Sequence, residues 1–324
     1  MNKRVLAQTG IEVSPIGLGT STWGHGTNEE AAAGQLLEFV RAGGTLLDTA
    51  NIYGSGQSEL IIGKLLGTTV ARRDIILATK AGMVGARPPY TVDASAKGLL
   101  AELDRSLSRM GVDYVDLWQM HVWDDKTPIE ETVSALRKAV TSGRARAVGV
   151  CNYSGWQTAS AATIGRLSGE PLLASAEVEY SLVQRGIERE VVPAAEKFGI
   201  GLLPWAPLGR GVLTGKYRDG VPPGKEKSSL YRWYVEPMVR SRRAQQIVEV
   251  TAEYAQNLGV SPGVLALSWV RDRPLVVAPL VGARTVEQLK ESLGAFGFSL
   301  PPEVRAHLDE LSAPRLGYPE RIAV

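Results

Sequence analysis

Cysteine is nearly absent. Cys151 stands alone in a chain of 324 residues, so an internal disulfide framework is impossible and a reducing, cytoplasmic compartment is expected. Histidine is scarce as well, at three, and His25 and His307 fall in no ligand spacing, which argues against a metal centre. Nothing near the amino terminus has the apolar length of a signal peptide, and no run approaches about 20 uninterrupted apolar residues, so neither export nor membrane insertion is expected. The glycosylation sequon at Asn152-Tyr-Ser is therefore read as coincidence. Charge excess is missing too: 36 basic against 34 acidic side chains leave a net +2, which argues against a nucleic-acid binder. Two phosphate-binding glycine turns are also wanting. Gly17-Leu-Gly19 begins a dinucleotide turn but meets Thr22 where the third glycine belongs, and Gly215-Lys216 has Arg210 where a Walker loop needs its first glycine.

What is present is alternation. Short apolar runs near 15–19, 45–48, 75–79, 115–120, 146–150, 173–178, 200–205 and 275–281 read as strands. Stretches of helical spacing fall between and after them, at about 28–42, 57–66, 93–110, 128–141, 154–167, 188–198, 241–258 and 285–294. Punctuation agrees: Asn28 before two glutamates opens the first helix, Thr127-Pro128 opens another, and Gly143 and Gly199 close two more. Eight strand–helix units in one chain of this length predict an α/β fold, a (β/α)8 TIM barrel in a single domain. Residues 3–14 add an N-terminal β-hairpin around Thr9-Gly10, residues 206–240 a long loop after strand seven, and residues 301–312 a final helix.

Four polar residues stand at the carboxyl ends of these strands or just beyond: Asp48, Tyr53, Lys80 and His121. Strand parity puts Asp48 with Leu46, Lys80 with Ala78, and His121 with Gln119 and Leu117, on faces that point into a barrel at its catalytic rim. Trp118 and Met120 fall to the helix side. Taken singly, each has a plain structural reading, as a cap, a loop aromatic or a strand end. Together they suit carbonyl reduction, which needs hydride at carbon and a proton at oxygen. A free tyrosine, with a pKa of about 10, is a weak acid that a nearby ammonium would strengthen. Tyr53 is then the general acid, Lys80 tunes it, Asp48 anchors Lys80, and His121 orients the substrate oxygen.

The wider segments resemble those of the aldo-keto reductases. Leu-Asp48-Thr-Ala-Asn-Ile-Tyr53-Gly with Glu59, then Ala-Thr-Lys80, then Leu-Trp-Gln-Met-His121 match the family's catalytic segments. Further matches run from Gly143 to Asn152, at Glu179-Tyr-Ser-Leu, at Trp205-Ala-Pro-Leu-Gly209, at Lys216-Tyr217 with Pro222-Pro223, and from Gly282 to Gln288. They are similar to the branch that holds bacterial reductases and potassium-channel β-subunits. The resemblance implies an NADPH (NADP+) cofactor lying across the rim without a Rossmann turn. Cys151, Asn152 and Glu177 would face the nicotinamide carboxamide, with Trp205 stacked on the ring. Leu208, Gly209, Gly211 and Lys216 would follow the pyrophosphate, and Gly282, Arg284, Gln288 and Ser292 the adenosine end. Gly19, Thr20, Ser21, Ala206 and Pro207 complete the implied set. The family often has serine, glutamine and asparagine where this chain has Cys151, Glu177 and Ser292. Residues 209–243 are also strongly basic, with Lys225 and Lys227 among them, which suits a phosphate-bearing ligand as well as a solvated lid.

Trp23, Trp123, Tyr231, Trp233 and Tyr234 are the candidate walls of a pocket for a small-molecule carbonyl or alcohol. Two other readings stay open: a cofactor-sensing subunit with little turnover, and a Schiff-base enzyme with Lys80 as nucleophile.

Overall fold

Side-chain alternation decides where each strand sends its apolar residues, and here it sorts them into two layers. The structure is a computed structural model that describes residues 2–85, 89–169, 173–221, 231–315 and 317. Strands β1 (Arg4–Val5) and β2 (Glu12–Val13) form an antiparallel hairpin. There follow β3 (Gly17–Gly19), α1 (Glu29–Arg41), β4 (Leu46–Asp48), α2 (Gln57–Leu65) and β5 (Ile76–Ala81). A small hairpin of β6 (Met83–Val84) and β7 (Thr91–Val92) precedes α3 (Ala96–Met110), β8 (Val115–Met120), α4 (Ile129–Thr141), β9 (Ala145–Cys151) and α5 (Gly155–Leu167). Then come β10 (Leu173–Glu179), α6 (Val191–Phe198), β11 (Gly201–Trp205), α7 (Glu236–Arg240), α8 (Arg242–Asn257), α9 (Pro262–Arg271), β12 (Leu280–Val281), α10 (Val286–Leu293) and α11 (Pro302–Ser312).

Eight strands pair in parallel in the order β11-β10-β9-β8-β5-β4-β3-β12, which is the sheet of a (β/α)8 barrel. The run at 275–281 closes it in two pieces. Leu202 N–H donates to Leu275 O at 2.8 Å and Leu202 O accepts from Val277 N–H at 2.9 Å; after Pro279, which has no N–H to give, β12 joins β3. Inward residues Leu46, Ala78, Leu117, Ala147, Ala174, Leu203 and Val277 form one apolar cluster, which Leu6, Ile11 and Val13 of the hairpin plug from the amino-terminal end. Outward residues such as Leu47, Leu77, Trp118 and Met120 join the larger layer beneath the helices. Polar side chains at the carboxyl end thus meet a lumen already filled below.

Three features differ from the sequence reading. Helix α9 occupies 262–271, where no helix is expected, because its Val264-Leu-Ala-Leu-Ser-Trp-Val270 run is buried all round and has no polar face to show a period. The hairpin β6–β7 follows strand three. The loop after β11 contains short helical turns at Gly209–Thr214 and Tyr231–Val235 before α7, while Pro222-Pro223, Lys225 and Lys227 lie outside the described residues. Among the described residues no helix is long and apolar enough to cross a membrane.

Candidate active site

Parity and register bring the rim residues together. Asp48 ends β4 and pairs with Ala78 of β5, so Lys80 stands one inward step beyond it. Lys80 in turn pairs with Gln119 of β8, and His121 follows that strand, its N–H bonded to Ala81 O at 2.8 Å. Tyr53 comes from the loop after β4, which curls through positive φ at Gly54, Ser55 and Gly56. A side chain on Gly54 would meet the Trp23 carbonyl at 3.0 Å, so the tight approach needs glycine there.

The Lys80 ammonium is the hub. It donates to Asp48 Oδ1 at 2.8 Å and Oδ2 at 2.6 Å, to Thr49 O at 3.1 Å and to the Tyr53 hydroxyl at 3.4 Å. It also pairs with Glu177 Oε1 at 3.2 Å, across the lumen from β10. Burial alone would depress this ammonium, but Asp48 and Glu177 together raise it well above an ordinary lysine. A lysine held so firmly charged is no Schiff-base nucleophile, and that reading falls. Tyr53 behaves differently from the expectation. Burial pushes its phenol up, and the pull of Lys80 is opposed by Asp48, Glu177 and Cys151. The proton therefore stays on Tyr53. His121 has its pKa lowered to about 3, by burial first and Lys80 second, and is a neutral imidazole. Its ring meets Tyr53 edge-on at 6.0 Å, and its buried Nδ1 has no partner among the described residues.

The proposed cofactor residues divide into two sets. Asn152, at φ +57°, is exposed and links the rim: its amide donates to His121 O at 3.1 Å and its oxygen accepts from the Trp205 indole at 2.9 Å. Ser21, Lys216, Gly282, Arg284 and Gln288 are exposed, and Gly19, Trp205, Ala206, Leu208, Gly211 and Ser292 half-buried. Arg284 precedes α10, whose cap is Thr285; its guanidinium acts on the Tyr217 phenol and makes no ion pair among the described residues. The other set is turned inward. Pro207 and Gly209 are buried. Buried Thr20 ties β3 to β4, donating to Asp48 O at 2.9 Å and accepting from the Ser58 hydroxyl. Cys151 is buried, and burial with Glu177 raises its thiol. Glu177 departs most from what the resemblance implies: one oxygen is on Lys80, and the other accepts from Gln119 Nε2 at 2.6 Å. Neither is open to a carboxamide.

The aromatic candidates separate in the same way. Trp23 is wholly buried, its indole donating to Gln35 at 2.8 Å, and Tyr231 is buried against Tyr217, so neither walls a pocket. Trp233 and Tyr234 are exposed, with the Arg210 guanidinium 4.1 Å from the Tyr234 ring and 4.9 Å from the Trp205 ring. Trp123 is half-buried in a shelf with Tyr153 and Trp156, at 5.2 and 5.1 Å. Tyr153 and Trp156 are new members. Their only sequence signal is their position just past strand five, beside Asn152.

A (β/α)8 barrel with a buried lysine bracketed by acids and a phenol at its carboxyl rim defines a class of proton-handling barrel enzymes. Within that class the chain belongs to the Aldo/keto reductase family, whose model matches residues 15–313. It is 32% identical over 321 residues to the uncharacterized oxidoreductase YrpG of Bacillus subtilis (strain 168), covering 96% of each chain. It is 34% identical over 322 residues to L-glyceraldehyde 3-phosphate reductase of Escherichia coli O157:H7, covering 96% of this chain and 92% of that one. A probable aldo-keto reductase 1 of Glycine max is 31% identical over 301 residues, at 91% and 84% coverage. The chain is accordingly an aldo-keto reductase, an oxidoreductase of carbonyl groups.

Proposed function

We propose that the chain reduces an aldehyde or ketone of a small molecule with NADPH, reversibly, and that Tyr53 gives the proton. The observation that carries the reading is the Lys80 ammonium fixed between Asp48 and the Tyr53 hydroxyl, beside a neutral His121. The cofactor, when bound, supplies hydride. The residues present fit it: the exposed Arg284, which makes no ion pair among the described residues, offers a cation for a 2′-phosphate, and the half-buried Trp205 offers a ring face. Everything else is done by side chains of this chain. Tyr53 holds its proton at the rim because burial keeps the phenol intact. His121, neutral, donates an N–H to the substrate oxygen and so orients it toward Tyr53. Lys80 fixes the Tyr53 hydroxyl and steadies the phenolate as the proton leaves.

Tyr53→Phe should cut turnover by roughly 10²- to 10⁴-fold, the usual worth of a general acid, while NADPH fluorescence titration stays nearly unchanged. Undiminished turnover in that variant would remove Tyr53 as donor. A panel of aldehydes, ketones and alcohols should include L-glyceraldehyde 3-phosphate, because that substrate names one of the relatives. Tight NADPH binding with no turnover across the panel would point to the sensor-subunit reading instead.

A further inference from the structure

Lys80 meets two carboxylates where an ion pair needs one. Asp48 and Glu177 come from β4 and β10, strands that are not neighbours, and reach the same ammonium across the lumen. The cluster is deeply buried: Lys80 is 0% exposed, and Asp48 and Glu177 are 2% each. Its geometry is braced from behind, since Ser175 donates to Gln119 Oε1 at 2.8 Å and so turns the Gln119 amide N–H toward Glu177. The other titratable groups facing the pair are Tyr53, His121 and Cys151, and none of them carries positive charge. Two anions against one cation leave a surplus that a low-dielectric interior does not hold cheaply. Neighbouring carboxylates relieve such a surplus by sharing one proton.

We propose that Asp48 and Glu177 form a proton-holding pair that recharges Tyr53 through Lys80 during carbonyl reduction. The proposal rests on the NADPH reductase reading above. As hydride reaches the carbonyl carbon, the Tyr53 O–H bond breaks and its proton joins the carbonyl oxygen. The phenolate takes a proton from Lys80 Nζ, and Lys80 takes the one held by the pair. Each bond broken to hydrogen is matched by one formed. The cluster ends one negative charge richer, a charge that an oxidised nicotinamide, if bound at the rim, would favour. Solvent returns the proton once the alcohol has gone. Glu177 is thus a positioning residue, acting through Lys80 and not on substrate. The acidity of Asp48 agrees: burial first, then Glu177, raises it to about 8 against the pull of Lys80.

Infrared spectroscopy of the intact wild-type protein tests the shared proton directly. The carbonyl stretch of an un-ionised carboxyl should be present at neutral pH, vanish with a midpoint of about 8, and be missing from Glu177→Gln. A wild-type spectrum with no such band overturns the proposal, whether or not the variant folds. Calorimetric titration in buffers of different ionisation enthalpy gives the second readout. NADP+ binding should release about one proton more than NADPH binding in the wild type, and that difference should disappear in Glu177→Gln. Equal proton release for the two cofactors in the wild type overturns it as well. Neither readout needs turnover, so their failure beside an inactive Tyr53→Phe would sink the proton pair and leave the reductase reading standing.

Discussion

His121 and Asp48 pull stability in opposite directions as pH changes. The folded His121 does not take a proton until about 3, whereas the unfolded chain takes one at about 6.5. Below that value the folded state binds fewer protons, so stability is lost as pH falls through the window, at about 1.4 kcal/mol per unit at most. Asp48 has the other sign. Its folded pKa of about 8 lies above the unfolded value, so the folded state keeps a proton that the unfolded chain releases, and stability falls as pH rises toward 8. His121→Leu should therefore gain on the wild type as pH is lowered from neutral to 4 in urea titrations. A difference that stays constant would mean the imidazole is not held neutral. Much of this residue-level picture is legible in the sequence, because alternation along β4, β5 and β8 puts Asp48, Lys80 and Gln119 on one inward face. The Lys80–Glu177 contact is not legible. It crosses the lumen between strands separated by β8 and β9, and no local spacing encodes it. Trp23 misleads for a related reason: a loop tryptophan can turn outward to a ligand or inward to Gln35, and the hydrogen bond that decides this lies on α1.

Among the elements, the N-terminal hairpin has the clearest separate task. Its Leu6, Ile11 and Val13 are buried against inward residues of the barrel strands, at the end opposite the rim. Ile11→Ala should then cost about 2–4 kcal/mol in urea unfolding, through lost burial and a residual cavity, and leave kcat/KM unchanged. Lowered kcat/KM at full stability would mean that the plug shapes the rim from below. A second element-level support is α2 against α3. Glu59 is fully buried, accepting from Thr79 Oγ1 at 2.6 Å and from Arg109 Nε at 2.6 Å. Arg109→Met would leave that carboxylate without its cation, at a cost of about 3–5 kcal/mol, whereas Arg109→Met paired with Glu59→Gln should recover most of it. The elements readable beforehand are those with one polar and one apolar face, such as α3 and α4, or those flanked by turn residues, such as β5 and β8. Helix α9 lacks both signals, and its uniform burial makes it resemble a strand or a loop until neighbouring helices are seen around it.

At the scale of the whole molecule, the barrel is least well sewn at one seam. Between β11 and the last strand the ladder is one bridge, Leu202 with Val276, carried by two backbone bonds, and β12 adds only two residues against β3. Other neighbouring strands, such as β8 and β9, pair over five positions. The proposed cofactor residues stand on both sides of this seam: Trp205 to Lys216 follow β11, and Gly282 to Ser292 follow β12. A ligand held by both sets would tie the seam from above, because opening it would separate two halves of one binding site. Ligand that binds only the closed form stabilises it by about 2.7 kcal/mol at a hundredfold excess over Kd, and the gain falls where the weakest pairing is. Amide hydrogen exchange should then slow on adding NADPH chiefly at 201–205 and 275–283, with less change along β8 and β9. NADH, which has no 2′-phosphate for Arg284, should protect the same amides more weakly, and Arg284→Met should bring the two cofactors level. Protection spread evenly around the barrel would mean that the cofactor does not span the seam. Protection confined to the β11 side would instead take Arg284 and α10 out of the binding site.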